Sequence, residues 1–62
     1  AALSRYNVAI ALSRFRRFAD ARDFAQAALR DFKKFGAAAA NEVEDTERLL
    51  AEIDQGIQEQ GS

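Results

Sequence analysis

Residues 18–35 read FADARDFAQAALRDFKKF, and their apolar positions set the architecture. Phe18, Ala21, Ala25, Ala28, Phe32 and Phe35 recur at spacings of three and four, which is one narrow seam along a helix, with Phe24 and Leu29 beside it. Alanines in the middle of the seam let a second helix approach closely, and the phenylalanines at its ends fill wider gaps. The rest of the chain agrees with this reading. Fourteen alanines, no proline and abundant Leu, Arg, Glu and Gln favour helix throughout. No β-branched run alternates with period two, so strands are not expected. The fold class is all-α, a three-helix bundle.

Working outward toward the N-terminus, Arg16-Arg17 contains no turn former, yet the apolar phase shifts there. The first helix is therefore expected over residues 2–15 and the second over 17–35. In the first helix Leu3, Tyr6 and Ile10 form one row and Val8, Leu12 and Phe15 another, so it expects neighbours on two sides. Toward the C-terminus, Gly36 follows Lys33-Lys34, as a helix end prefers. Asn41-x-x-Glu44 resembles a capping box that would start the last helix near residue 42. The seam Ala39 or Ala40, Val43, Thr46, Leu50, Ile53, Ile57 starts it earlier, and we expect a helix over 38–58. Gly56 should interrupt its last turn, and residues from Gln58 onward should fray. Gly36 leaves two outcomes open. In a left-handed conformation it folds the third helix back as a hairpin. Kept helical, it fuses the second and third helices into a rod whose third helix could be exchanged with a second copy.

Composition narrows the chemistry. Sixty-two residues make one small domain, and at this size only about 60% of the unfolded chain's surface is buried. The chain has no Cys and no His, so disulfides, Cys/His zinc sites, thiol nucleophiles and imidazole bases are all absent. Stability must come from helix packing, self-association or neighbouring parts of a longer protein. No enzyme and no cofactor is expected. Residues 1–34 carry eight Lys/Arg against three Asp, a net +5, whereas residues 35–62 carry Arg48 against seven acids, a net −6. The two halves read as surfaces that face each other within the fold or between copies. No apolar run reaches the roughly 20 residues of a membrane span, and nothing calls for an oxidising compartment, so the expected location is the cytoplasm.

The pair of helices from Leu3 to Phe32 resembles a tetratricopeptide repeat. Val8-Ala9, Leu12, Ala21, Ala25 and Ala28-Leu29 fall at that family's spacings within its period of about 34 residues, and Tyr6-Asn7 resembles a common repeat opening. Three positions depart from the pattern. Arg5 stands where the family prefers a large apolar residue, Phe24 and Ala25 exchange large and small, and Lys33 replaces the usual proline. The resemblance implies an antiparallel helix pair closed by an amphipathic capping helix with a polar, acidic outer face (Glu42, Asp45, Glu52, Gln55, Glu59). It implies that the chain is the C-terminal end of a longer repeat array, and that a protein or peptide lies along the first helix. The contact positions would be Leu3, Tyr6, Ile10, Ser13 and Arg14, with Arg14 orienting an acidic group. The plainer reading is that Leu3, Tyr6 and Ile10 pack on a missing neighbour or on a second copy.

Two other constellations read as ordinary helix surface. Arg14, Arg16 and Arg17, interleaved with Phe15 and Phe18, are arginines at a turn paired with acids of the third helix, and lack the groove-fitting element that nucleic-acid recognition uses. Glu44, Asp45 and Glu47 form a charged helix face, not a cation site or an acid–base pair. Glu44–Arg48 and Arg16–Asp20 have the i,i+4 spacing of helix ion pairs.

Overall fold

A proline-free, alanine-rich chain with seams at helical spacing folds accordingly. The computed structural model describes residues 1–61 and places them in α1 (Ala2–Arg14), α2 (Phe18–Lys33) and α3 (Ala40–Gly61), with a 3₁₀ turn over Gly36–Ala39 between the last two. Among the described residues there is no strand, and the protein is an all-α three-helix bundle. Arg5, in the first turn of α1, pairs with Asp31 near the end of α2. Arg22, early in α2, lies 3.6 Å from Asp54, late in α3. Neighbouring helices are therefore antiparallel, and α1 and α3 run parallel to each other on either side of α2. Both pack extensively on α2 and touch each other far less.

The alanine seam carries the packing. Ala21, Ala25 and Ala28 of α2 and Ala9 of α1 are fully buried, and α3 contributes Leu49 and Ile53. Alanines let the helix axes come close, where dispersion contacts are dense and little side-chain entropy is lost. Burying a side chain such as Ile53 contributes about 1.5–3 kcal/mol. A second cluster, Ala2, Ala28, Phe32 and Ala39 with Tyr6 and Val43 against it, fills the end of the bundle near Gly36. Along α1 the deeply buried residues are Ala2 and Ala9, whereas Val8 and Phe15 of the expected second row are exposed.

Each connection differs from the sequence expectation for an identifiable reason. α1 ends at Arg14, one residue early, because Arg16 adopts a left-handed φ of 62°. The Arg16 N–H then donates to the Ser13 carbonyl (3.1 Å) and the Arg17 N–H to the Leu12 carbonyl (2.9 Å), the two bonds of a Schellman C-cap. α2 ends at Lys33, not Phe35. Its last turn tightens through the Lys34 N–H to the Asp31 carbonyl and the Phe35 N–H to the Phe32 carbonyl, and Gly36 at φ 61° then reverses the chain. Phe35 leaves the seam and stands 67% exposed. Of the two outcomes open for Gly36, the structure has the hairpin.

The start of α3 does not use the Asn41 box. Asn41 lies one residue inside the helix and is exposed, and the Ala40 N–H donates to the Ala37 carbonyl, leading the 3₁₀ turn directly into the helix. The buried face of α3 is Thr46, Leu49, Ile53 and Gly56, so Leu49 takes the central place expected for Leu50. Thr46 is buried without loss because its hydroxyl donates to the Glu42 carbonyl at 2.7 Å. Gly56 does not break the helix. It is buried under the Phe18 ring, and a Cβ there would lie 2.6 Å from Phe18 Cζ. Beyond it, Gln60 Nε2 donates to the Arg16 carbonyl at 3.1 Å, and α3 runs to Gly61 instead of fraying from Gln58. The helix ion pairs form at i,i+3: Arg17–Asp20 at 2.7 Å and Arg48–Asp45 at 3.3 Å, not Arg16–Asp20 and Glu44–Arg48. Among the described residues, no helix is long and apolar enough to cross a membrane.

Candidate interaction groove

Because α1 and α3 flank α2 and barely meet, a groove runs between them above it. Its register follows from the parallel arrangement. At the Gly36 end a hollow of about 110 Å³ is lined by Leu3 and Tyr6 of α1, Phe32 of α2, and Glu42 and Asp45 of α3. Further along, an open cavity of about 340 Å³ is lined by Tyr6, Ile10, Ser13 and Arg14 on one wall and Asp45, Leu49 and Glu52 on the other. Leu3, Tyr6, Ile10, Ser13 and Arg14 thus lie along a single wall of one groove, spaced at intervals of three, four, three and one along α1.

Each of these side chains is held differently. Leu3 is 63% exposed and offers most of its surface to solvent. Tyr6 is half-buried, with its ring edge-on to Phe32 at 6.5 Å between centroids, which fixes the floor where the two hollows join. Ile10 is half-buried and packs on the central cluster. The Ser13 hydroxyl donates to the Ile10 carbonyl at 2.8 Å, so its donor is used within its own helix. Arg14 is exposed at the far end of the groove, on the wall opposite Glu52.

In the sequence the opposite wall has the pattern of a solvated outer face. Glu42, Asp45 and Glu52 are indeed exposed, yet they also border the groove. Their spacing, together with Leu49, of three, four and three held the signal for a shared stripe on α3. What the spacing lacked was a direction, because it depends on which of Leu49 and Leu50 turns inward. The three arginines at the first connection go separate ways. Arg14 borders the groove, the Arg16 guanidinium lies over the Phe18 ring at 5.6 Å, and Arg17 pairs with Asp20. Among the described residues, it is Arg22 of α2 that forms an ion pair with an acid of α3, Asp54. Glu44, Asp45 and Glu47 are all exposed on α3. Among the described residues, no three acidic side chains converge in the way a metal site requires.

The groove has an apolar floor at its Gly36 end, at Phe32, an α1 wall that is apolar from Leu3 to Ile10 and polar at Ser13 and Arg14, and an α3 wall on which Leu49 stands among Glu42, Asp45 and Glu52. That arrangement can take up an elongated amphipathic segment, burying its apolar stripe and leaving its polar side to the rim. Compared with protein-family models, with curated proteins and with solved structures, the chain matches none of them.

Proposed function

We propose that the protein is a non-enzymatic protein–protein interaction module, the tetratricopeptide-like end of a longer helical scaffold in the cytoplasm. Its groove would take a helix or an extended peptide from a partner protein. The supporting observation is the pair of adjoining hollows between α1 and α3, which share Tyr6 and Asp45 and in which Leu3, Tyr6 and Ile10 present apolar surface beside Ser13 and Arg14. Binding would come from burial of apolar surface at about 25 cal/mol per Å², offset by the ordering of the partner.

A second reading is homo-oligomerisation, through the same face or by exchange of α3 about Gly36. It draws on the exposure of Leu3 (63%) and Phe35 (67%). Sedimentation equilibrium over a hundredfold range of concentration, with helicity recorded on the same samples, separates the two. A folded monomer throughout supports the interaction module. A dimer that loses helicity as it dissociates supports self-association and overturns the first reading.

A further inference from the structure

The two walls of the groove differ in charge, and that difference narrows the occupant. On α3, Glu42, Asp45 and Glu52 lie at i, i+3 and i+10, and therefore on one stripe of the helix that borders the groove from end to end. The facing wall of α1 is apolar at Leu3, Tyr6 and Ile10. Among the described residues that line the groove, the basic one is Arg14, at its far end. Asp45 shares its charge with Arg48 at 3.3 Å, on the exposed surface of the same helix. From Glu42 to Glu52 the acidic stripe is ten residues long, which at 1.5 Å per residue is about 15 Å, or roughly three helical turns.

Resting on the interaction-module reading, we infer that the groove takes a basic amphipathic helix of about three turns from a partner protein. Its apolar stripe lies on Tyr6, Ile10 and the floor, and its Lys or Arg residues face the α3 wall. An acidic segment would meet three carboxylates along that wall and one arginine at its end. A second copy is a poorer fit: Arg5, Arg17 and Arg22 pair with Asp31, Asp20 and Asp54 of their own molecule, and the exposed Arg30 and Lys33 of α2 span about one turn, not three.

The test uses the whole chain and three synthetic helical peptides about 14 residues long, with the same leucine stripe and with Lys, Gln or Glu on the adjoining stripe. Amide chemical shifts are followed through the titration at Tyr6, Ile10 and Leu49. The Lys peptide should bind most tightly, the Gln peptide about tenfold more weakly and the Glu peptide more weakly still, since three rim pairs at exposed sites add up to about that factor. Added salt should narrow the gap between them. The combined variant Glu42→Gln/Asp45→Asn/Glu52→Gln should erase the preference while leaving helicity unchanged. Equal binding of all three peptides, or tighter binding of the Glu peptide, overturns the inference and leaves the groove reading standing. Binding by none of them overturns both, as does occupation of the groove by a second copy.

Discussion

Both connections in the bundle hold one residue in the left-handed region, at nearly the same φ: Arg16 at 62° and Gly36 at 61°. At Gly36 the conformation is free of a Cβ penalty, nothing lies within 4 Å of where a Cβ would stand, and the chain moves on through four residues of 3₁₀ turn. At Arg16 an ordinary L-residue bears a backbone cost of about 1–2 kcal/mol. It is held there by its surroundings: two backbone hydrogen bonds close the cap, its guanidinium covers Phe18, and Gln60 reaches its carbonyl from α3. One end of the bundle thus turns because the local residue permits it, and the other because tertiary contacts insist on it. A connection of the second kind should be more sensitive to changes in its neighbours and less sensitive to the identity of its own residue.

The sharpest way to test that contrast begins with the aromatic ring at each end. Phe32, 8% exposed in the cluster at the Gly36 end, should cost about 3 kcal/mol when changed to Ala. A domain of this size draws only about 3–5 kcal/mol from its core, so Phe32→Ala should lose its cooperative urea transition at room temperature. A transition retained with the wild-type midpoint would show that this end is not held by its ring.

At the other end, Gly56→Leu forces a side chain into the place of the Phe18 ring and should destabilise by about 2 kcal/mol in urea unfolding. In a Phe18→Ala background the same substitution should cost well under half as much, because the two positions share one space. Additive losses would break the idea that this end depends on its neighbours.

The two left-handed residues give the smaller effects, a loss at Gly36 and none at Arg16. Gly36→Ala imposes the Cβ penalty where none existed and should destabilise by about 1 kcal/mol, seen as a lower thermal midpoint. Arg16→Gly relieves that penalty but gives up the cation–π contact, worth about 0.5–1 kcal/mol at an exposed site, so its midpoint should rise slightly or stay put. A clear loss on Arg16→Gly would mean that the arginine side chain, not the contacts around it, holds the turn.

The same contrast governs what could be read in the sequence. The alanine seam of α2 was legible because it rests on helical spacing, whereas Gly36, a residue suited to positive φ, marked the place of a break and left open whether the chain folds back there or runs on as one helix. Leu3, Tyr6 and Ile10 could be grouped because they form one row of one helix, and Ser13 and Arg14 joined them only through the resemblance to a tetratricopeptide repeat. The turn at Arg16 left only a phase shift, since a left-handed arginine has no local signature. Gly56 looked like a break because propensity penalises glycine in a helix, and the ring that makes it useful comes from a residue 38 positions earlier. The choice of Leu49 over Leu50 depends on the rotation of α3 about its axis, which the packing on Ala21 and Ala25 sets. The acidic wall of the groove went unread for the same reason.

The Phe18 ring seated over Gly56 acts as an index pin for α3. Sliding the helix by about one turn in either direction would bring Glu52 or Gln60 beneath the ring, and neither leaves room for it. The length of α3 that reaches across the bundle is thereby set at its far end, remote from the connection that precedes it. The near end of the helix is held separately, by Ala39 buried in the cluster with Ala2, Ala28 and Phe32, so the α1 and α3 walls are kept level from both ends. Between these two anchors residues 34–38 are exposed, and a residue added there would leave the groove in register only while Ala39 keeps its seat.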